Sequence, residues 1–186
     1  MRLGAPQAEA PHGGACARSR GNLARDDFDA RTNEERADQL QQLSTRLFNS
    51  LVENRSGDDN PTLTAVVDTA RKYDIGWDLF DDFLASMRMD LTVTDYPDRK
   101  SLERYMYGSA EVIGLQLLPV LGTVGPREEA APYAAALGKA FQLTNFLRDI
   151  DEDLSRGRVY LPADELAAHG VDRDMLEWCH TNRRTD

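Results

Sequence analysis

The spacing of apolar residues is the feature that most constrains how this chain can fold. From Asn33 to Cys179 these residues recur every three or four positions, as Leu40, Leu43 and Leu47 do. Such spacing gathers apolar side chains on one face of an α-helix, whereas a half-buried β-strand needs apolar and polar residues to alternate. No alternating segment of comparable length interrupts the pattern. The sequence therefore predicts an all-α fold.

Capping and breaking residues divide this region into separate helices. Asn60 followed by Pro61 is typical of a helix start, and Pro119 is expected to bend or end the helix that contains it. Gly157 is expected to end the helix that begins near Pro126. The predicted helices begin near Asn33, Pro61, Trp77, Asp98, Pro126, Ala163 and Asp172.

The N-terminal segment, residues 1–31, differs from the rest of the chain. It is rich in Ala, Gly, Pro and Arg and has neither helical nor strand periodicity. It also lacks the apolar stretch of a secretory signal. We expect this segment to be disordered or foreign to the fold, and residues 32–186 to form a helical domain.

The charge and the hydropathy of the chain exclude some classes of function. The formal net charge of -10 argues against binding of nucleic acid, because phosphate contacts need a basic surface. The longest apolar run, Val112 to Gly122, is too short to cross a bilayer and contains a proline. Cys16 and Cys179 lack the spacing of a zinc site or a redox pair. We expect a cytoplasmic protein, and contact with a membrane surface is left open.

An acidic stretch, QLTNFLRDIDED from Gln142 to Asp153, indicates a binding site. Asp149 and Asp153 are four residues apart, so a helix places them on nearly the same face, which Gln142 and Asn145 continue. Oxygen ligands in a column suit a hard cation such as Mg²⁺, which shares its coordination with waters and substrate phosphates. Nearby guanidinium groups match the geometry of phosphate. These are Arg148, Arg156 and Arg158.

The same residues are compatible with a solvated, salt-bridged surface, and on spacing alone the two interpretations have equal weight. The apolar setting favours a site, because AFQLTNFL places large hydrophobic residues beside Gln142 and Asn145. Amides on a half-buried face need hydrogen-bond partners.

Residues 133–162, YAAALGKAFQLTNFLRDIDEDLSRGRVYLP, resemble the second aspartate-rich region of the phytoene/squalene synthase family. The family pattern Gln-x-x-Asn-x-x-Arg-Asp-x-x-x-Asp, followed by Arg-Gly-Arg-x-Tyr-Leu-Pro, is complete here. RYMYGSAEVIG, residues 104–114, resembles the tyrosine-bearing helix of that family, and residues 80–93 resemble the segment before it in bacterial phytoene synthases. The resemblance implies a helical bundle of the isoprenoid-synthase type, of which residues 32–186 would form a partial domain that is truncated at both ends.

The resemblance also implies roles for single residues. Asp149 and Asp153 match metal ligands, and Gln142 and Asn145 match residues that support the metal-diphosphate cluster. The remaining matches stabilise the departing diphosphate or lie near the reacting carbons. They are Arg148, Arg158, Tyr105 and Tyr160. Without the family, each tyrosine is equally compatible with a core position whose hydroxyl is satisfied.

The activity implied is a Mg²⁺-dependent prenyltransferase that joins two geranylgeranyl diphosphates head to head, as in carotenoid biosynthesis, with Mn²⁺ as an alternative metal. The alternative is a squalene or hydroxysqualene synthase that uses farnesyl diphosphate, and only the squalene variant would need NADPH. A cavity that lacks the last helices of the family would expose apolar surface, so we expect self-association or membrane-surface contact.

The first aspartate motif of the family is not matched. The chain has Asp26, Asp27 and Asp29, but Ala30 stands where an acid is expected. These aspartates are not assigned as metal ligands. The third alternative is therefore a non-catalytic fragment that lacks an intact first motif.

Overall fold

A computed structural model of the chain describes residues 31–55 and 59–182. All the helices below belong to the compact unit Asn33–Asp186. Asp26, Asp27 and Asp29 lie outside the described residues. The helices are α1 (Asn33–Leu51), α2 (Pro61–Tyr73), α3 (Trp77–Met89), α4 (Arg99–Met106), a π-helical segment (Tyr107–Glu111), α5 (Val112–Leu121), α6 (Arg127–Arg148), α7 (Ile150–Ser155), α8 (Ala163–Ala168) and α9 (Arg173–Asn182).

The expected all-α fold is confirmed for the described residues, in which an isolated bridge between Asp95 and Val159 is the only β-type pairing. The start of α2 also agrees with the sequence, because the Asn60 side chain accepts hydrogen bonds from the backbone N–H groups of Thr62 and Leu63. Among the helices described, none is both long enough and apolar enough to span a bilayer.

Two clusters of buried side chains hold the helices together. The first joins α1, α2 and α3, and consists of Leu47, Leu63, Val67 and Leu84. The second lies where α4 meets α6, and consists of Tyr96, Leu102, Tyr105, Met106 and Phe146. Burial of a large apolar side chain contributes about 1.5–3 kcal/mol to the free energy of unfolding. The second cluster contains Tyr96 and Tyr105, so hydroxyl groups lie within this part of the core.

The tyrosine-bearing helix contains a π-helical segment that the sequence did not predict. The backbone N–H of Val112 donates to the carbonyl of Tyr107, five residues earlier. Each such segment inserts one residue into a helix and changes the direction of the side chains that follow, and it is frequent at functional sites. Pro119 lies inside α5, which ends two residues later at Leu121.

The predicted continuous helix from Pro126 to Gly157 is wrong. It breaks at Asp149 (φ -99°, ψ 12°), and α7 begins at Ile150. The acidic residues Asp151 and Asp153 consequently lie in the first turn of a new helix, where the positive end of the helix dipole favours them. Gly157 has φ +71°, which agrees with its predicted role in ending helical structure.

Close helix packing is made possible by glycines. A β-carbon at Gly138 would lie 2.3 Å from the carbonyl oxygen of Ala110, and one at Gly114 would lie 2.2 Å from that of Ala134. Because Ala110 faces Gly138 and Gly114 faces Ala134, the π segment and α5 run antiparallel to α6. Glycine, whose side chain is a single hydrogen atom, is needed at these two positions for the backbones to approach so closely.

Candidate functional site

Asp90, at the C-terminal end of α3, contacts tyrosine hydroxyls beside the second core cluster. One carboxylate oxygen accepts a hydrogen bond of 3.0 Å from the Tyr105 hydroxyl. The other lies 3.3 Å from the Tyr160 hydroxyl and 3.4 Å from Nη1 of Arg158. Nη2 of Arg158 also donates to the backbone carbonyl of Asp90 at 2.6 Å. The side chains of Asp90 and Arg158 are each 22% exposed, so this ion pair is largely shielded from solvent.

The two tyrosines that contact this carboxylate pack against other aromatic rings. Phe146 of α6 stacks on Tyr160, with 4.4 Å between ring centroids and 9° between ring planes. Tyr160 also lies 5.5 Å from the ring of Tyr105 and 5.9 Å from that of Tyr96. These rings hold the two hydroxyls that contact Asp90 in place, because stacked aromatic side chains have little freedom to rotate.

Burial sets the protonation of these groups. It raises the pKa of Asp90, although the Arg158 charge and the tyrosine hydroxyls act in the opposite direction. Burial and the negative charge of Asp90 raise the pKa of both Tyr105 and Tyr160. Both tyrosines therefore remain protonated at neutral pH and serve as hydrogen-bond donors.

The acidic pair of the sequence lies at the junction of α6 and α7. Asp149 is the junction residue, and its backbone carbonyl accepts from the N–H of Asp153 at 2.8 Å, so the two remain one helical turn apart. The Arg148 guanidinium makes a bidentate ion pair with the Asp149 carboxylate, at 2.7 and 2.6 Å. Burial raises the pKa of Asp153, and the negative charge of Asp149 raises it further.

The described residues contain no group of three or more His, Cys, Asp or Glu side chains that could hold a metal ion. Asp149 and Asp153 nevertheless fit a cation in part, because they are neighbouring carboxylates whose mutual repulsion a positive charge would relieve. A metal held by this pair would take its other ligands from water and from a phosphate-bearing molecule.

Arg158 connects the acidic pair with the Asp90 cluster. Its backbone N–H donates to the carbonyl of Asp153 at 2.8 Å, while its side chain contacts Asp90 and lies 3.1 Å from the Tyr160 hydroxyl. Its charge also acts to lower the pKa of Asp153. Arg156 makes an ion pair of 2.9 Å with Glu152, and its charge also acts to lower the pKa of Asp153.

An apolar groove of about 580 Å³ runs between α5 and α6, which is within the usual range for ligand pockets. Gln142 and Asn145 line it, and the amide of Asn145 is 3.5 Å from the side-chain oxygen of Gln142. The apolar lining residues with the greatest exposure are Leu121, Tyr133 and Phe141, at 81%, 78% and 63%. The groove is therefore open along one side in the described part of the chain.

The structure brings the predicted site residues into three neighbouring sets. Tyr105, Arg158 and Tyr160 surround Asp90; Arg148, Asp149 and Asp153 occupy the helix junction; Gln142 and Asn145 line the groove. Sequence reasoning missed Asp90. The available signal was an acid at the end of the apolar α3 segment, in MRMDL, within the residues that carried the family resemblance.

Comparison with known proteins agrees with the motif. A family model described as squalene/phytoene synthase matches residues 22–185. Phytoene synthase 1 (chloroplastic) of Arabidopsis thaliana is 44% identical over 118 residues, which are 60% of this chain and 28% of that protein. Phytoene synthase of Arthrospira platensis is 42% identical over 128 residues, 62% of this chain and 41% of that protein.

Solved structures give the same family of folds. A dehydrosqualene synthase in complex with ligand is 31% identical with a TM-score of 0.70, over 82% of this chain and 53% of that one. Squalene synthase HpnC from Alicyclobacillus acidocaldarius, at 24% identity and a TM-score of 0.66, shares the fold over 75% of this chain and 51% of its own. The chain thus spans less than half the length of these two curated relatives and about half that of the solved structures.

Proposed function

Because this chain belongs to the squalene/phytoene synthase family, we propose that it acts as a phytoene synthase, condensing two geranylgeranyl diphosphates head to head. The observation that carries the proposal is a groove whose lining changes from apolar side chains to the amides of Gln142 and Asn145, which are seven and four residues before Asp149. An allylic diphosphate has the same division between a hydrocarbon chain and a charged end. The identity of 42–44% to phytoene synthases supports the choice of substrate.

Asp149 and Asp153 are the proposed ligands of Mg²⁺, or of Mn²⁺ in its place. Bound metal supplies Lewis-acid neutralisation of the diphosphate as it leaves. The fit rests on the placement of the two carboxylates one helical turn apart, where the backbone N–H of Asp153 donates to the carbonyl of Asp149 at 2.8 Å. The raised pKa of Asp153, which burial and the Asp149 charge cause, agrees with it. The remaining ligands would come from the diphosphate oxygens and water, because this pair alone cannot fill an octahedral shell.

The arginines and tyrosines would position the charged end of the substrate. Arg148 is 66% exposed and can turn from Asp149 toward a diphosphate, whose oxygens match a guanidinium better than a single carboxylate does. Arg158 and Tyr160 lie near the same end, held by Asp90. Tyr105 remains protonated and its hydroxyl donates to Asp90, so its proposed role is to position that carboxylate beside the substrate rather than to remove a proton.

The proposed reaction needs no external oxidant or reductant. The C–O bond of one substrate breaks and diphosphate departs with the electron pair. The allylic carbon then bonds to the double bond of the second substrate, and loss of a proton closes a cyclopropane ring. Departure of the second diphosphate, rearrangement and loss of another proton give a C40 hydrocarbon.

A squalene-type reaction on farnesyl diphosphate is the second candidate. The superposition on a dehydrosqualene synthase at 31% identity favours it. The site would be the same, and only the hydrocarbon chain in the groove would be shorter. NADPH would be required if the product were squalene itself.

The test is incubation of the purified chain with each labelled diphosphate and Mg²⁺. A C40 hydrocarbon that disappears in Asp149→Ala but persists in the control Asp151→Asn is the expected result. A C30 product without any C40 product would replace the first candidate by the second. Absence of both products, together with absence of Mg²⁺-dependent diphosphate binding, would leave the non-catalytic fragment as the explanation.

The exposed rim of the groove supports the expectation of self-association or contact with a membrane surface. Leu121 and Tyr133 are 81% and 78% exposed, which is unusual for large apolar residues near one another. Sedimentation with and without lipid vesicles would separate the two, and a monodisperse monomer that ignores vesicles would contradict both.

A further inference from the structure

Ser109 carries a buried hydroxyl for which the described part of the chain offers no hydrogen-bond partner. Among the described residues, Ser109 Oγ and the Tyr96 hydroxyl are the buried side-chain polar atoms in this condition. A buried hydroxyl without a partner costs about 1–3 kcal/mol of folding free energy. Such a group either lowers the stability of the fold or binds a partner from outside the described residues.

The local backbone explains why Ser109 is left without a partner. A hydroxyl in a helix commonly donates to the carbonyl four residues earlier, as Thr69 does to Ala65 at 2.7 Å and Thr144 to Ala140 at 2.9 Å. For Ser109 that carbonyl belongs to Tyr105, and it already accepts from Ser86 Oγ at 2.9 Å. Ser109 also lies in the π-helical segment, where the hydrogen-bond register differs from that of an α-helix.

The position of Ser109 restricts what its partner can be. The residue lines the apolar groove, next to Ala110. Because Ala110 lies against Gly138 and the helices run antiparallel, Ser109 is near the end of the groove that Gln142 and Asn145 occupy. A hydrocarbon chain has no hydrogen-bonding atom to offer there. The oxygens of a diphosphate do.

We propose that the Ser109 hydroxyl is a substrate-binding group that donates a hydrogen bond to a diphosphate oxygen of the prenyl diphosphate in the groove. This inference rests on the proposed function and adds a contact between the charged end of the substrate and the tyrosine-bearing helix. The contact fixes the depth of the substrate, because it holds the diphosphate at the point where the groove changes from polar to apolar.

The test compares wild type, Ser109→Ala and the control Thr144→Ala, whose hydroxyl is satisfied within α6. The probes are farnesyl and geranylgeranyl thiodiphosphates, which resist cleavage, each with Mg²⁺, and binding is measured by calorimetry. Ser109→Ala is expected to weaken binding about tenfold, and Thr144→Ala to leave it unchanged. The thermal midpoint of ligand-free Ser109→Ala should equal or exceed that of wild type, which establishes that the variant is folded.

Three results would overturn the inference, and they are distinguishable. If wild type binds the thiodiphosphates and Ser109→Ala binds them equally well, the proposed function stands and the role of Ser109 is wrong. If wild type does not bind either probe, the proposed function fails and the inference fails with it. A fall in the ligand-free midpoint of Ser109→Ala would also contradict the inference, because it would reveal a partner within the fold.

Discussion

The carboxylate of Asp90 accepts a hydrogen bond from the hydroxyl of Tyr105 across 3.0 Å, although one residue ends α3 and the other lies on α4. The contact ties the tyrosine-bearing helix to the preceding helix through a charged group in a largely buried place. It also fixes the hydroxyl of a residue to which the family resemblance gives a role near the reacting carbons.

Replacing Asp90 by Ala should destabilise the fold. The change removes the carboxylate oxygens that accept from Tyr105 and Tyr160 and that face Arg158, and it leaves these donors without an acceptor in a shielded site. We expect a loss of about 1–3 kcal/mol in the free energy of unfolding, measured by urea denaturation. The control is Asp95→Ala, which removes a side chain that is 61% exposed and pairs with Arg173 at 3.5 Å, and which should cost less than about 1 kcal/mol. Equal effects of the two changes would contradict the role given to Asp90.

Tyr96→Phe and Tyr105→Phe should differ although both remove one buried hydroxyl. The hydroxyl of Tyr96 has no partner among the described residues, so its removal should leave the free energy of unfolding unchanged or raise it. Removal of the Tyr105 hydroxyl deprives Asp90 of a donor and should cost about 1–2 kcal/mol. Chemical denaturation of both variants in parallel is the measurement, and a larger loss for Tyr96→Phe would count against this account.

Gly138→Ala should disturb the crossing of α6 with the π segment. The added β-carbon would lie 2.3 Å from the carbonyl oxygen of Ala110, and that oxygen is backbone, which cannot swing aside. We expect a net loss of about 1–3 kcal/mol, even though alanine favours a helix more than glycine does. Gly125→Ala is the control, since its added carbon would approach nothing closer than 4.0 Å. Thermal denaturation of both would decide, and an unchanged midpoint for Gly138→Ala would refute the close approach.

The pKa of Asp153 predicts how stability depends on pH. Because its pKa in the folded chain is raised above the ordinary 3.8, protonated Asp153 favours the fold, and that contribution is lost as the pH rises through the folded value. Asp153→Asn cannot ionise, so at neutral pH it should be more stable than wild type when no metal is present, and the difference should disappear as the pH falls toward 3.8. Thermal midpoints across this range test the sign. Added Mg²⁺ should raise the thermal midpoint of wild type more than that of the variant.

Arg148→Gln should separate the binding of metal from the binding of diphosphate. The guanidinium now occupies the Asp149 carboxylate at 2.6–2.7 Å, so its removal should strengthen Mg²⁺ binding about two- to fivefold when no diphosphate is present. Binding of inorganic diphosphate with Mg²⁺ should instead weaken, because a phosphate-matching group is lost. Calorimetric titrations would measure both, and a parallel change in the two affinities would contradict the proposed competition.

Much of the fold could be predicted from local patterns in the sequence. Asn60 and Pro61 mark the start of α2 because the capping side chain and the proline act within a few residues of each other. The break at Asp149 and the π-helical segment were not predictable in this way. Apolar residues keep helical spacing on both sides of each feature, so the periodicity of the sequence does not reveal it. Each feature is defined by its backbone hydrogen bonds and dihedral angles, which the apolar pattern does not specify.

The same limit applies to the candidate site. The acidic pair and its arginines are close in sequence and form a motif, and the prediction identified them together. Asp90 meets Arg158 across 68 residues, so no local pattern connects them. Whether Asp149, Asp153 and the tyrosines have the roles that the resemblance implies stays a prediction, which the experiments above address.

The main chain that lines the groove has a consequence for how substrate preference could change. Ala110, Gly114, Ala134 and Gly138 form part of the lining where the backbones nearly touch. This part of the lining cannot be reshaped by a side chain at Gly114 or Gly138 without separating the helices, since an added β-carbon would meet the opposite backbone. Adaptation to a longer or shorter hydrocarbon is therefore left to the walls, at positions such as Leu117 and Tyr133, where one exchanged side chain alters the space without disturbing the helix crossing.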